Sequence, residues 1–88
     1  MNVPGREAQY AAFYEDEFGR TVAAVRRQLG ADAEDVAQEA FIVAARRWNE
    51  VAELDLPAAW VRLVARRIAG RRLARERYGW HPRMRPTH

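Results

Sequence analysis

The chain of 88 residues has no cysteine, so neither a disulfide nor a thiolate-ligated zinc can hold it together. Serine is absent too, and the two threonines, Thr21 and Thr87, stand in no arrangement with histidine or carboxylate that would activate a nucleophile. No glycine-rich phosphate loop, nucleophile elbow or paired metal-binding histidine motif occurs. His81 and His88, the only histidines, sit among Pro and Arg near the end of the sequence and give no metal site. No apolar run approaches the ~18 residues of a membrane span, and no charged-then-apolar leader is recognisable. These absences predict a protein without catalytic residues, cofactor or metal, with no membrane insertion and a cytoplasmic location.

Lysine is missing as well: all fifteen basic residues are arginine. That usage fits phosphate chemistry and a GC-rich genome equally. The distribution of charge is more informative than the total of +3. Residues 1–55 carry six Arg against eleven acidic residues, a net of −5, whereas residues 56–88 carry nine Arg against Glu76 alone, a net of +8. Such polarity suggests two partners of opposite sign.

The apolar pattern is helical throughout, which predicts an all-α fold: a compact bundle of three main helices, the third basic and extended. Residues 1–5 form a flexible N-terminus in this reading, residues 6–79 the helical domain, and residues 80–88 a flexible tail or the start of a linker. In the first helix Tyr10, Phe13, Tyr14, Phe18, Val22, Val25 and Leu29 recur at three-four spacing, and Gly30 supplies a stop. The aromatics at its start are read as core. Asp32 is placed to cap the second helix, with Glu34 and Asp35 in a first turn that favours negative charge.

That second helix, Asp32 to Trp48, carries the sharpest signal. At about 100° per residue, Ala33, Val36, Ala37, Ala40, Phe41, Ala44 and Trp48 fall on one side. Asp35, Gln38, Glu39 and Arg46 fall on the other, with Ile42 in their midst. A helix needing only solubility has no use for a branched aliphatic there. An exposed isoleucine ringed by hydrogen-bonding groups has the make-up of an interface hot spot, with acidic and amide neighbours suited to a basic helical partner.

Residues 49–56 lack a long period and read as a connecting loop with at most one helical turn. Pro57 then opens a third helix to about Tyr78. Trp60, Val61, Val64 and Ile68 make its core stripe with Leu63 at the edge, and Arg62, Arg66, Leu73 and Arg77 line the opposite side. Past Gly70 the stripe dissolves into an all-round basic segment expected to project from the bundle or to lie against a polyanion.

Two elements together, D-V-A-Q-E-A-F (Asp35 to Phe41) and P-A-A-W-V-R-L-V-A-R-R (Pro57 to Arg67), resemble region 2 of bacterial sigma factors of the extracytoplasmic-function type, in the sigma-70 superfamily. The resemblance covers about Tyr10 to Tyr78. It implies a helical domain that docks on the clamp helices of the RNA polymerase largest subunit and that recognises and melts the promoter −10 element, capturing a non-template base. Carried over by position, Asp35, Gln38, Glu39, Ile42 and Arg46 would contact polymerase, while Asn49, Arg62, Arg66, Arg67 and Arg71 would contact DNA. Trp60 is assigned to helix packing. An anti-sigma factor is a further partner that the resemblance implies.

Two departures accompany it. Arg67 stands where the family commonly has an asparagine near the captured base, and a guanidinium lacks an amide's donor-acceptor pair. By its wheel position Arg67 is also open to a structural role. Nothing after Trp80 encodes the −35-binding helix-turn-helix domain of a complete factor, so the sequence is expected to be either a region-2 fragment or a stand-alone protein, and the linker-like tail favours the fragment. A sigma-like protein-interaction module that reads no DNA remains the leading alternative, ahead of a basic DNA-binding helix unrelated to initiation.

Overall fold

A computed structural model describes residues 5–78, and four helices occupy them: α1 (Arg6–Leu29), α2 (Ala33–Arg46), α3 (Trp48–Val51) and α4 (Pro57–Tyr78). The fold is all-α, with α1, α2 and α4 packed on one another in a small bundle and no strand among the described residues. The flexible tail expected over 80–88, residues 1–4 of the flexible N-terminus and the stop expected at Gly79 lie outside the described residues, while Gly5 leads into α1 and its carbonyl accepts from the amide of Gln9 at 3.0 Å.

Each boundary has a local cause. Gly30 ends α1 at φ 58° and ψ −120°, a conformation open essentially to glycine alone, and its amide returns to the carbonyl of Arg26. A single 3-10 turn, Gly30–Asp32, then feeds α2. Here the sequence expectation is corrected. Asp32 precedes α2 but sits at φ −82° and ψ 0°, in the helical region of the backbone, and its carboxylate makes no capping hydrogen bond. An N-cap side chain reaches the free amides from an extended backbone, which the preceding 3-10 turn denies it.

Arg47 breaks α2 from α3. Its amide is shared between the carbonyls of Val43 and Ala44, and its own carbonyl accepts from Glu50 and Val51, so the next helical turn starts one residue on. Asn49 therefore belongs to α3, and the true connection is only residues 52–56. Leu56 presents its carbonyl to the amide of Trp60 at 3.2 Å, and Pro57, which has no amide to satisfy, fills the first position of α4.

The core joins two materials. Ala33, Ala37, Ala40 and Ala44 of α2 and Ala65 and Ala69 of α4 are fully buried, and their small side chains let the helices approach closely. At the other end, Phe41 is 1% exposed and takes Tyr10, Phe13, Tyr14 and Phe18 of α1 around it at ring separations of 5.0 to 6.4 Å. Trp48 packs against Tyr10 and Phe13. The Tyr10 hydroxyl donates to the Phe41 carbonyl at 2.9 Å, fixing α1 against the middle of α2. Burial, and secondarily its neighbour Tyr14, raises the pKa of Tyr10 above the ordinary value.

Candidate functional site

The side chains that the wheel of α2 sets apart do reach the surface together. All seven apolar stripe residues are buried, while Asp35, Gln38, Glu39 and Arg46 are exposed. Ile42, in their midst, keeps 49% of its surface in solvent. Its covered half borders α4, where it lines a groove with Ile68.

The face is less uniform than its composition implies. Glu39 is hydrogen-bonded by Arg72, which reaches across from α4. Beside that contact the two helices leave a groove of about 360 Å³, with Ile42, Val43 and Ile68 supplying its apolar lining and Arg46, Arg71 and Arg72 on its walls. Asp35 and Gln38 remain at the N-terminal end, away from this arginine cluster.

The segment of α4 beyond Gly70 consequently does not project as a separate arm along its first turns. Arg72 lies where the buried stripe of Val61, Ala65, Ile68 and Ala69 would continue, and it turns back onto α2. The DNA-contact candidates divide in the same way. Arg66, Arg67 and Arg71 are exposed and have no ion-pair partner among the described residues. That placement removes the structural role left open for Arg67.

Arg62, by contrast, is not on the outer side. It donates to Glu17 of α1 at 3.1 Å, and the two side chains are only 30% and 15% exposed. Leu73, assigned to the same outer side, is half-buried.

Trp60 is half-buried rather than enclosed, and the guanidinium of Arg47 stands 5.8 Å from its ring centroid, within cation-π range. Leu54, Leu56 and Leu63 are exposed nearby in sequence. With Leu56, Trp60, Leu63 and Arg67 separated by four, three and four residues, one side of α4 runs from apolar to basic. Trp60 is partly buried against the core cluster, as its assignment to helix packing expects.

Asn49 is exposed on α3 and borders a second depression, about 510 Å³, with Arg46, Arg47 and Trp48. The indole nitrogen of Trp48 is buried there without a hydrogen-bond partner among the described residues. Among those residues no group of His, Cys, Asp or Glu could hold a metal ion, and no helix is long and apolar enough to cross a membrane. The arrangement offers two kinds of chemistry: apolar contact at Ile42, and guanidinium donors on α4 suited to carboxylate or phosphate. Comparison with protein-family models, with curated proteins and with solved structures finds no match to this chain.

Proposed function

We propose that this domain is a transcription-initiation module of the sigma region 2 type, cytoplasmic, docking on the clamp helices of the RNA polymerase largest subunit and contacting the non-template strand of the −10 promoter element. The observation that carries the reading is Ile42: a branched aliphatic, half in solvent, at the centre of a face made by Asp35, Gln38, Glu39 and Arg46. On docking, Ile42 supplies apolar area, and the carboxylates and amide around it accept and donate hydrogen bonds at its rim. Arg66, Arg67 and Arg71 supply phosphate contacts from α4, with Asn49 on the helical turn that precedes the connection. Arg62, committed to Glu17, contributes by holding α4 against α1.

A second reading has support from one residue. Arg67 occupies the position at which the resemblance implies a base-reading asparagine, which favours a sigma-like interaction module that binds polymerase or a regulator such as an anti-sigma factor and reads no bases.

Two measurements test these readings. Gln38→Ala combined with Ile42→Ala is expected to abolish binding to a clamp-helix fragment with helicity unchanged. Full-strength binding by the double variant overturns the polymerase assignment. Single-stranded −10 DNA is expected to bind more tightly than a scrambled strand, in a salt-sensitive manner that Arg66→Ala weakens. Equal affinity for both strands selects the second reading.

A further inference from the structure

The groove between α2 and α4 brings together residues that the proposed function divides between two partners, Ile42 and Arg46 for polymerase and Arg71 for DNA. Its walls hold arginines, among them Arg46 on one side and Arg71 on the other, and its lining includes Ile42. Among the described residues Glu39 is the only carboxylate bordering it, and Arg72 already bonds that group. Arg46 and Arg71 have no ion-pair partner among the described residues.

A basic helix would meet like charge at this end of the α2 face, where like-charge juxtaposition costs several kcal/mol. A nucleic-acid strand would satisfy the arginines but not the isoleucine, and among the described residues no aromatic side chain borders the groove to stack a base.

The Glu39–Arg72 contact displays what the groove accepts. Glu39 is a carboxylate on a helix, three residues from an aliphatic side chain, bonded by a guanidinium from the opposite wall. An incoming helix repeating that pattern would place an aliphatic residue on Ile42 and carboxylates on Arg46 and Arg71, the helix-in-groove mode of recognition. Residues 79–88 cannot be that helix, because they contain Arg83 and Arg85 and no acidic residue.

We propose that the α2–α4 groove seats an acidic amphipathic helix of a partner protein, with Ile42 as its apolar anchor and Arg46 and Arg71 as its two carboxylate clamps. The inference shares Ile42 and Arg46 with the proposed polymerase face and Arg71 with the proposed DNA contacts, but its test reads an acidic peptide and does not depend on either of those partners binding.

The probe is a display library of helical peptides randomised along one face, selected on the full chain, with the enriched peptide then titrated by fluorescence anisotropy. Enriched sequences are expected to carry Asp or Glu one turn apart flanking an aliphatic residue. Their binding should weaken about tenfold in Arg71→Glu and at least about fivefold in Ile42→Ala, each variant retaining wild-type helicity and melting temperature. Binding of a single-stranded oligonucleotide should be indifferent to Ile42→Ala. Enrichment of neutral or basic peptides, or no enrichment that depends on Ile42, overturns the proposal. So does an oligonucleotide whose own affinity falls with Ile42→Ala, which would give the groove to nucleic acid. Sedimentation of the chain as a dimer that Arg71→Glu dissociates would give it to a second copy and equally overturn the proposal.

Discussion

Replacing Arg62 with alanine separates a packing role from a DNA-binding role. In the structure this guanidinium bonds Glu17 at 3.1 Å across the α1–α4 contact, with 30% and 15% of the two side chains exposed. A fully exposed pair would contribute about 0.2–1 kcal/mol. Hydrogen bonds to charged groups contribute about 1.5–3 kcal/mol when desolvated. A half-buried pair falls between, at about 1–2 kcal/mol, and Arg20 at 3.4 Å from the same carboxylate is too exposed to replace it. For a domain of this size a loss of 1 kcal/mol lowers the melting temperature by about 4–8 °C. Arg62→Ala should therefore melt roughly 5–15 °C below wild type by circular dichroism. A double-mutant cycle with Glu17→Gln should return a coupling near 1 kcal/mol, about half of which persists at ~1 M salt because the pair is shielded. At a temperature where the variant is folded, its affinity for single-stranded −10 DNA should fall by less than about twofold, whereas Arg66→Ala should lose more and flatten the salt dependence. A coupling below about 0.3 kcal/mol together with a several-fold loss of DNA affinity would refute this assignment and return Arg62 to the nucleic-acid surface.

Two further perturbations test the fold. Tyr10→Phe removes the hydrogen bond to the Phe41 carbonyl and should cost about 0.5–1.5 kcal/mol in denaturant unfolding. Because the folded pKa of Tyr10 is raised, the unfolded chain deprotonates first, so the stability linked to this residue is complete below pH ~10 and is lost as pH rises beyond it. The phenylalanine variant should show a shallower alkaline loss, and an identical alkaline profile would refute the linkage. Gly30→Ala should destabilise by about 1–3 kcal/mol, since φ 58° with ψ −120° suits glycine alone. Gly19→Ala, mid-helix with open space at its Cβ, should stabilise by about 0.5–1 kcal/mol, and equal effects at the two positions would refute the conformational argument.

The parts of this fold that depend on one helix at a time are legible in the sequence. The stripe from Ala33 to Trp48 is buried residue for residue, and Ile42 is exposed where the wheel puts it, because burial on a helix repeats every 3.6 residues whatever packs there. What escapes the sequence depends on pairs. Arg62 looks like an outward residue until Glu17, 45 positions away, is placed beside it, and Arg72 looks like part of a basic arm until Glu39, 33 positions away, draws it inward. Asp32 fails as a cap for a related reason: the composition is right, but the 3-10 turn that Gly30 starts decides the backbone angle. Trp60 keeps the packing role the sequence assigns it, partly buried against the core cluster, but the Arg47 guanidinium over its ring belongs to another helix boundary and no period within α4 shows it.

The division of charge between the two halves of the chain suggests two partners of opposite sign, and the fold moves where that division falls. It is not the boundary between the loop and α4. Sign changes along α2 itself, from Asp35 and Gln38 at one end to Arg46 and the neighbouring Arg71 at the other, with the Glu39–Arg72 contact at the seam. Ile42 sits on that seam, half exposed. A basic helix on the acidic end and an acidic helix in the groove would both need its surface, and an isoleucine side chain can be buried against only one of them. The two partners would therefore compete through a residue that carries no charge, while the charges on either side of it decide which partner each end attracts. Reversing Asp35 to Lys should then weaken the basic partner and leave the acidic peptide bound, whereas Ile42→Ala weakens both.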